Sequence, residues 1–179
     1  YLQQLEMESL GKSVNAEGEP LSEGHSGPLV WGGRGSDLQH SVFQWLHQGL
    51  DEAPVDFIAI ADHGRTDERV RALNANLAAQ GAALTHGRTG EGDLARHKAI
   101  RGGRASATFV MDRLSPETLG ALIALHEHKV FVEAVIYGLN PFDQWGVELG
   151  KSLARSILSG DMAGFDAPAR ELTHRLGLD

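Results

Sequence analysis

The stretch VDFIAIA, residues 55–61, carries no charge after Asp56 and returns repeatedly to β-branched residues. That pattern fits a strand buried within a sheet. An Ala- and Leu-rich segment, 69–87, follows with helical character, and after a Gly- and Arg-rich loop the run ATFVMD at 107–112 reads as another strand. A strand, a helix and a second strand in that order favour a crossover between parallel neighbours. The expectation is an α/β fold, a three-layer αβα sandwich with a mostly parallel sheet. GPLVWGG at 27–33, an apolar run bounded by glycines, is a further strand candidate.

The helices carry their own punctuation. YLQQLEMESLGK places Leu2 and Leu5 at helical spacing, with Gly11 as a stop. The polar segment 12–26 reads as a loop or hairpin. In SDLQHSVFQWLHQG, Ser36 with Gln39 forms a capping-box pattern and Gly49 lies just past the end, predicting one helix. Ser115 as N-cap and Pro116 at the first position open another. KVFVEAVIYG is rich in β-branched residues, but nothing between Gly120 and Gly138 breaks a helix, so the spacing predicts that this helix continues. Asn140 as cap and Pro141 predict a last helix, on which Gln144, Val147, Glu148 and Lys151 share one face.

Composition narrows the function. A chain of 179 residues can bury one full core. With 16 Lys and Arg against 24 Asp and Glu, the formal charge of −8 repels phosphate backbones, which argues against a nucleic-acid partner. No run approaches the length of a membrane helix, so no membrane partner is expected. The absence of cysteine excludes thiolate chemistry and cysteine-based zinc sites, and suits a reducing cytoplasm. The chain opens with Tyr1 inside an apparent helix, so a piece of something longer is expected.

Several polar residues invite a chemical reading beside a plain one. Glu6 and Glu8 approach a helix C-terminus, where the dipole disfavours negative charge. That setting suits a general base near neutral pH; two exposed acids is the default. His40 falls in the first turn of its predicted helix, where the dipole favours a neutral imidazole, and His47 follows on the same side. For any single histidine, a surface or interface position is the better bet. His126 and His128 flank Glu127, but residues two apart on a helix diverge, so no metal is expected there. Glu148 and Lys151 alone suggest an exposed ion pair; Gln144 in the first turn adds the option of recognising an anion or a hydroxyl.

The segment AVIYGLNPFDQWGVELGK, 134–151, resembles the carboxyl-terminal signature of the glucose-6-phosphate isomerase family. LEMESLGK, GPLVWGGRGSDLQHSVFQWLHQG and LSPETLGALIALHEHKVFVEAVIYGLN resemble that family in order and spacing. The resemblance implies a carboxyl-terminal sugar-isomerase (SIS) domain over 1–158, followed by a variable tail, 159–179, with a short helix. It implies interconversion of glucose 6-phosphate and fructose 6-phosphate through a cis-enediol, with no metal and no cofactor. By position, Glu8 matches the base that moves the proton between C2 and C1. His40 matches the histidine that assists ring opening and reaches a neighbouring subunit's site, which implies a homodimer. Gln144 and Lys151 match substrate-contacting residues, with Lys151 also at the ring oxygen.

Departures from the family pattern are local. Leu10 stands where the family usually has a polar residue, and GGRGSDLQH carries Arg34 and Leu38 in the loop before His40. The phosphate-gripping loop and the arginine that stabilises the enediolate belong, in the family, to a first SIS domain that this chain lacks. Losing one such donor costs roughly 10²–10³ in rate, so this chain alone is expected to be nearly inactive. The competing readings are a non-catalytic sugar-phosphate-binding or dimerisation module, and an isomerase of another sugar phosphate.

Overall fold

The computed structural model describes residues 1–22, 26–65 and 67–178, so positions 23–25 of the predicted loop, Thr66 and Asp179 lie outside the described residues. In chain order the elements are α1 (Leu2–Leu10), α2 (Gly35–Leu38), α3 (Phe43–Gln48), β1 (Val55–Asp62), α4 (Glu68–His86), α5 (Ala95–Lys98), β2 (Ser106–Arg113) and α6 (Pro116–Tyr137). A 3₁₀ turn (Trp145–Val147), α7 (Glu148–Leu158) and α8 (Ala167–Arg175) complete them. The chain divides into two compact units, one of residues 1–29 with 129–179, the other of residues 30–128.

The second unit is built on the expected β–α–β crossover. β1 and β2 pair in parallel, with Val55 opposite Ser106 and Phe57 opposite Thr108. Side chains alternate between faces, so Phe57 and Phe109 point opposite ways. The Phe57 ring lies against Gly81 of α4, while Phe109 meets His126 of α6 at a ring separation of 5.9 Å. α4 therefore packs on one face of the sheet and α6 touches the other at His126, the α/β order read from the sequence. The strand burial expected from the apolar run 55–61 is not met: no residue of either strand is fully buried. On the α4 face, Phe43, Leu46 and Leu84 are buried, with Val55 and Phe57 packed against them. Asp67 caps α4 by accepting from the Val70 amide at 3.0 Å. Gly87 ends it at φ 63°, a left-handed conformation that glycine reaches without penalty. Just before β2, the buried Arg104 donates to the carbonyls of Gly49 and Asp51 and so ties the end of α3 to the sheet.

The first unit packs α1 against the end of α6. Leu10, Val130, Ala134 and Leu139 form its core, with Leu5, Leu21 and Tyr137 against them. α6 continues unbroken through its β-branched segment. It starts on reciprocal bonds between Ser115 and Thr118. It stops at Gly138, φ 68°, where the Leu139 amide reaches back to the Ala134 carbonyl at 2.8 Å. That six-to-one bond with an apolar contact at its ends is a Schellman stop. Residues 12–22 form a hairpin-like turn, with Val14 bridged to Pro20. Glu6, read as an exposed acid, is buried and paired with Lys129 of α6.

Three local readings are corrected. Residues 27–33 form no strand, and Leu29 and Trp31 are exposed: the run has apolar content but no ladder partner among the described residues. The helix predicted from Ser36 to Gly49 is interrupted at 39–42. Ser41 bonds the Leu38 carbonyl with both its amide and its hydroxyl, and Ser36 bonds Asp37 instead of capping. Asn140 does not open a helix either. Its side chain accepts from the Phe142 amide at 3.1 Å in a local turn, and α7 starts only at Glu148.

Candidate functional site

The end of α1 and the turn at 140–147 enclose a cleft of about 360 Å³ in the first unit, within the range of small-ligand sites. Glu8 reaches it from the last turn of α1, and Gln144 from the residue before the 3₁₀ turn. The two are far apart in sequence and share this wall. Glu8 is half-buried, and its Oε2 accepts from Gln4 Nε2 at 2.9 Å, which fixes one carboxylate oxygen.

Lys12 and Asp143 hold the cleft together. Lys12 follows the Gly11 stop of α1, and its Nζ donates to Asp143 Oδ1 at 2.7 Å and to the Asp143 carbonyl. Asp143 Oδ2 accepts from Asn140 Nδ2 at 2.9 Å. The Lys12 side chain is only 14% exposed, so this ion pair is largely shielded from water. It joins the end of α1 to the segment bearing Gln144. Reasoning from helical spacing missed this pair because Lys12 stands outside α1 and Asp143 outside α7. Both residues sit inside the quoted motifs LEMESLGK and FDQWGVELGK, which was the signal available.

The remaining predicted residues are placed differently. Lys151 is on α7 and is paired with Glu148 at 2.7 Å, both exposed, as the plain reading of that spacing had it. Since α7 begins after Gln144, the shared helical face of Gln144, Glu148 and Lys151 does not exist. His40 belongs to the second unit and is exposed in the turn that follows the four-residue α2. It stands at that helix's C-terminal side, so the dipole argument for a neutral imidazole does not apply. His47, partly buried, meets Gln80 Oε1 through Nε2 at 3.0 Å. His126 is turned into the sheet and buried, whereas His128 is exposed. Among the described residues, no group of three acidic or histidine side chains converges as a metal set. Among them, too, no helix is long and apolar enough to cross a membrane.

What the cleft offers chemically is one carboxylate able to take a proton, an amide able to bond a hydroxyl, and a cation held beside them by its own counter-ion. A family model described as phosphoglucose isomerase matches residues 1–169. The chain belongs to that family. Within the phosphoglucose isomerase family, the enzyme of Novosphingobium aromaticivorans, named glucose-6-phosphate isomerase, is 53% identical over 180 aligned residues, covering 99% of this chain and 35% of its own length. That of Brucella melitensis is 49% identical over 176 residues, covering 88% of this chain and 32% of its own. A crystal structure of a glucose-6-phosphate isomerase from Chlamydia trachomatis superposes with a TM-score of 0.82 at 38% identity, covering 99% of this chain and 34% of that one. The chain thus spans about 35% of the length of such curated relatives. Glu8, His40, Gln144 and Lys151 all fall inside the family match, which runs into α8.

Proposed function

We propose that this chain is the carboxyl-terminal portion of a glucose-6-phosphate isomerase that works in the cytoplasm as a homodimer. The observation that carries this reading is the meeting of Glu8 and Gln144 on one cleft, in a chain of this family. In this reading the Glu8 carboxylate removes the C2 proton of the open-chain sugar, and a cis-enediol forms. The same carboxyl, now protonated, returns the proton to C1 to complete fructose 6-phosphate. Proton transfer by one positioned group contributes typically about 10²–10⁴ in rate. Gln144 orients the substrate through its amide. His40 assists ring opening in the neighbouring subunit's site, and Lys151 supplies a proton donor at the ring oxygen once it leaves Glu148.

The anion-gripping and enediolate-stabilising groups belong to the rest of the longer polypeptide, so this chain alone turns over little. The test is isomerisation of fructose 6-phosphate in D₂O followed by NMR, on this chain and on its natural extended form. Turnover with deuterium entering the transferred position in the extended form only is expected. Glu8→Gln in the extended form should lower kcat by about 10²–10⁴ with KM little changed. Unchanged kcat in that variant would remove Glu8 from the mechanism, and an inactive extended form would end the isomerase reading.

A further inference from the structure

α6 is apolar on more than one side. Val130 and Ala134 face the core of the first unit, yet Phe131, Val132, Val135 and Ile136 are 51%, 53%, 66% and 71% exposed. Residues 131 and 135, and 132 and 136, are four apart and stack along one face. Phe142, itself exposed, brings its ring to 6.4 Å from that of Phe131 and extends the stripe. α7 repeats the pattern: Leu149 and Leu153 are exposed four residues apart, with Lys151 and Arg155 on another side, and none of its residues is buried. A contiguous exposed apolar stripe marks a contact surface.

We propose that the stripe of Phe131, Val132, Val135 and Ile136 is the seat of the remainder of the longer polypeptide, docking through an apolar face of its own. This rests on the proposed reading of the chain as part of a longer isomerase. The relatives are the reason for choosing that occupant: this chain covers 99% of itself but only 35% of the Novosphingobium protein, so most of such a polypeptide has to pack somewhere. A second copy fits less well, because two chains of formal charge −8 would repel one another on meeting.

The chain has no cysteine, so Val135→Cys introduces a single reporter thiol. In this chain, where Val135 is exposed, the thiol should react with an aromatic disulfide reagent as fast as a free thiol and leave the unfolding midpoint unchanged. In the extended form, with any native thiols measured in the parent and subtracted, it should react at least about 100-fold more slowly, since access then needs local opening. Val135→Glu should be neutral in this chain and lower the thermal midpoint of the extended form by several degrees. Equal thiol reactivity in both forms overturns the proposal. So does protection in this chain alone that rises with its concentration and vanishes in Val135→Glu, which would assign the stripe to a second copy. A protected thiol in an extended form without isomerase turnover would keep this surface while ending the functional reading.

Discussion

Two ion pairs in this chain have the same length and should have very different worth. Lys12 and Asp143 are 2.7 Å apart with side chains 14% and 28% exposed, whereas Lys151 and Glu148 are 2.7 Å apart with side chains 60% and 53% exposed. An exposed i,i+3 pair contributes about 0.2–0.5 kcal/mol, because water screens it and ordering two long side chains costs entropy. Breaking a fully buried pair costs about 3–5 kcal/mol, since the orphaned charge stays desolvated. Lys12 and Asp143 lie between those limits. The second bond, to the Asp143 carbonyl, adds a charge-assisted contact that Lys151 lacks within its pair. Lys12→Met should therefore cost about 2 kcal/mol, against less than about 0.5 kcal/mol for Lys151→Met.

Urea unfolding of the single and double variants, with Asp143→Asn and Glu148→Gln as partners, gives the coupling energy of each pair. The expected coupling is about 1–2 kcal/mol for 12/143 and near zero for 148/151, the latter falling further in salt. Equal couplings for the two pairs would refute the argument that burial decides. In the extended form, Lys12→Met should also raise KM, because the turn that carries Gln144 loses its tie to the helix that carries Glu8.

Further predictions concern backbone and pH. A Cβ on Gly87 would sit 2.4 Å from the Ile100 carbonyl oxygen and 2.5 Å from the Gly102 nitrogen, whereas one on Gly103, at nearly the same φ, meets nothing within 4 Å. Gly103→Ala should cost about 1–2 kcal/mol for the left-handed conformation alone, and Gly87→Ala about 1–3 kcal/mol more, measured by thermal unfolding. For Lys129, partial burial works against the charge, but the bond to Glu6, the charge of Glu6 and that of Glu133 outweigh it and hold the ammonium above its ordinary value of 10.5. A group raised on folding stabilises fully below its unfolded value and loses that contribution as pH rises through the folded one. Stability should thus fall as pH climbs above 10.5, and Lys129→Met should flatten that part of the urea-midpoint profile.

The sequence was most informative where a local rule and a tertiary demand coincide. VDFIAIA and ATFVMD became the parallel pair because each is apolar over a strand's length and a helix of suitable length lies between them. α6 was legible through its ends, Ser115 and Gly138, even though its interior is β-branched, because nothing within it breaks a helix and packing of Val130 and Ala134 decides. Where local rules acted alone they misled. GPLVWGG had strand composition but no ladder partner among the described residues, and Asn140 with Pro141 had the look of a helix start but made a turn.

The site shows the same division. Motif resemblance put Glu8, His40, Gln144 and Lys151 on the page, and the cleft brings Glu8 and Gln144 together; the late start of α7 removes only the helical face that spacing had drawn through Gln144 and Lys151. Neither route revealed Glu6 with Lys129 or Lys12 with Asp143, pairs separated by 123 and 131 residues. Such contacts have no period and no local signature. They exist only because the core of Leu10, Val130, Ala134 and Leu139 has already brought α1 against the end of α6. Packing comes first, therefore, and the polar ties are its consequence. A variant such as Leu10→Ala, which removes a side chain with 0% exposure, should loosen both ion pairs and the cleft together, at a cost of about 2–5 kcal/mol. If hydrogen exchange showed the 140–147 turn as protected in that variant as in the parent, the turn would owe its order to Lys12 and Asp143 and not to the core beneath them.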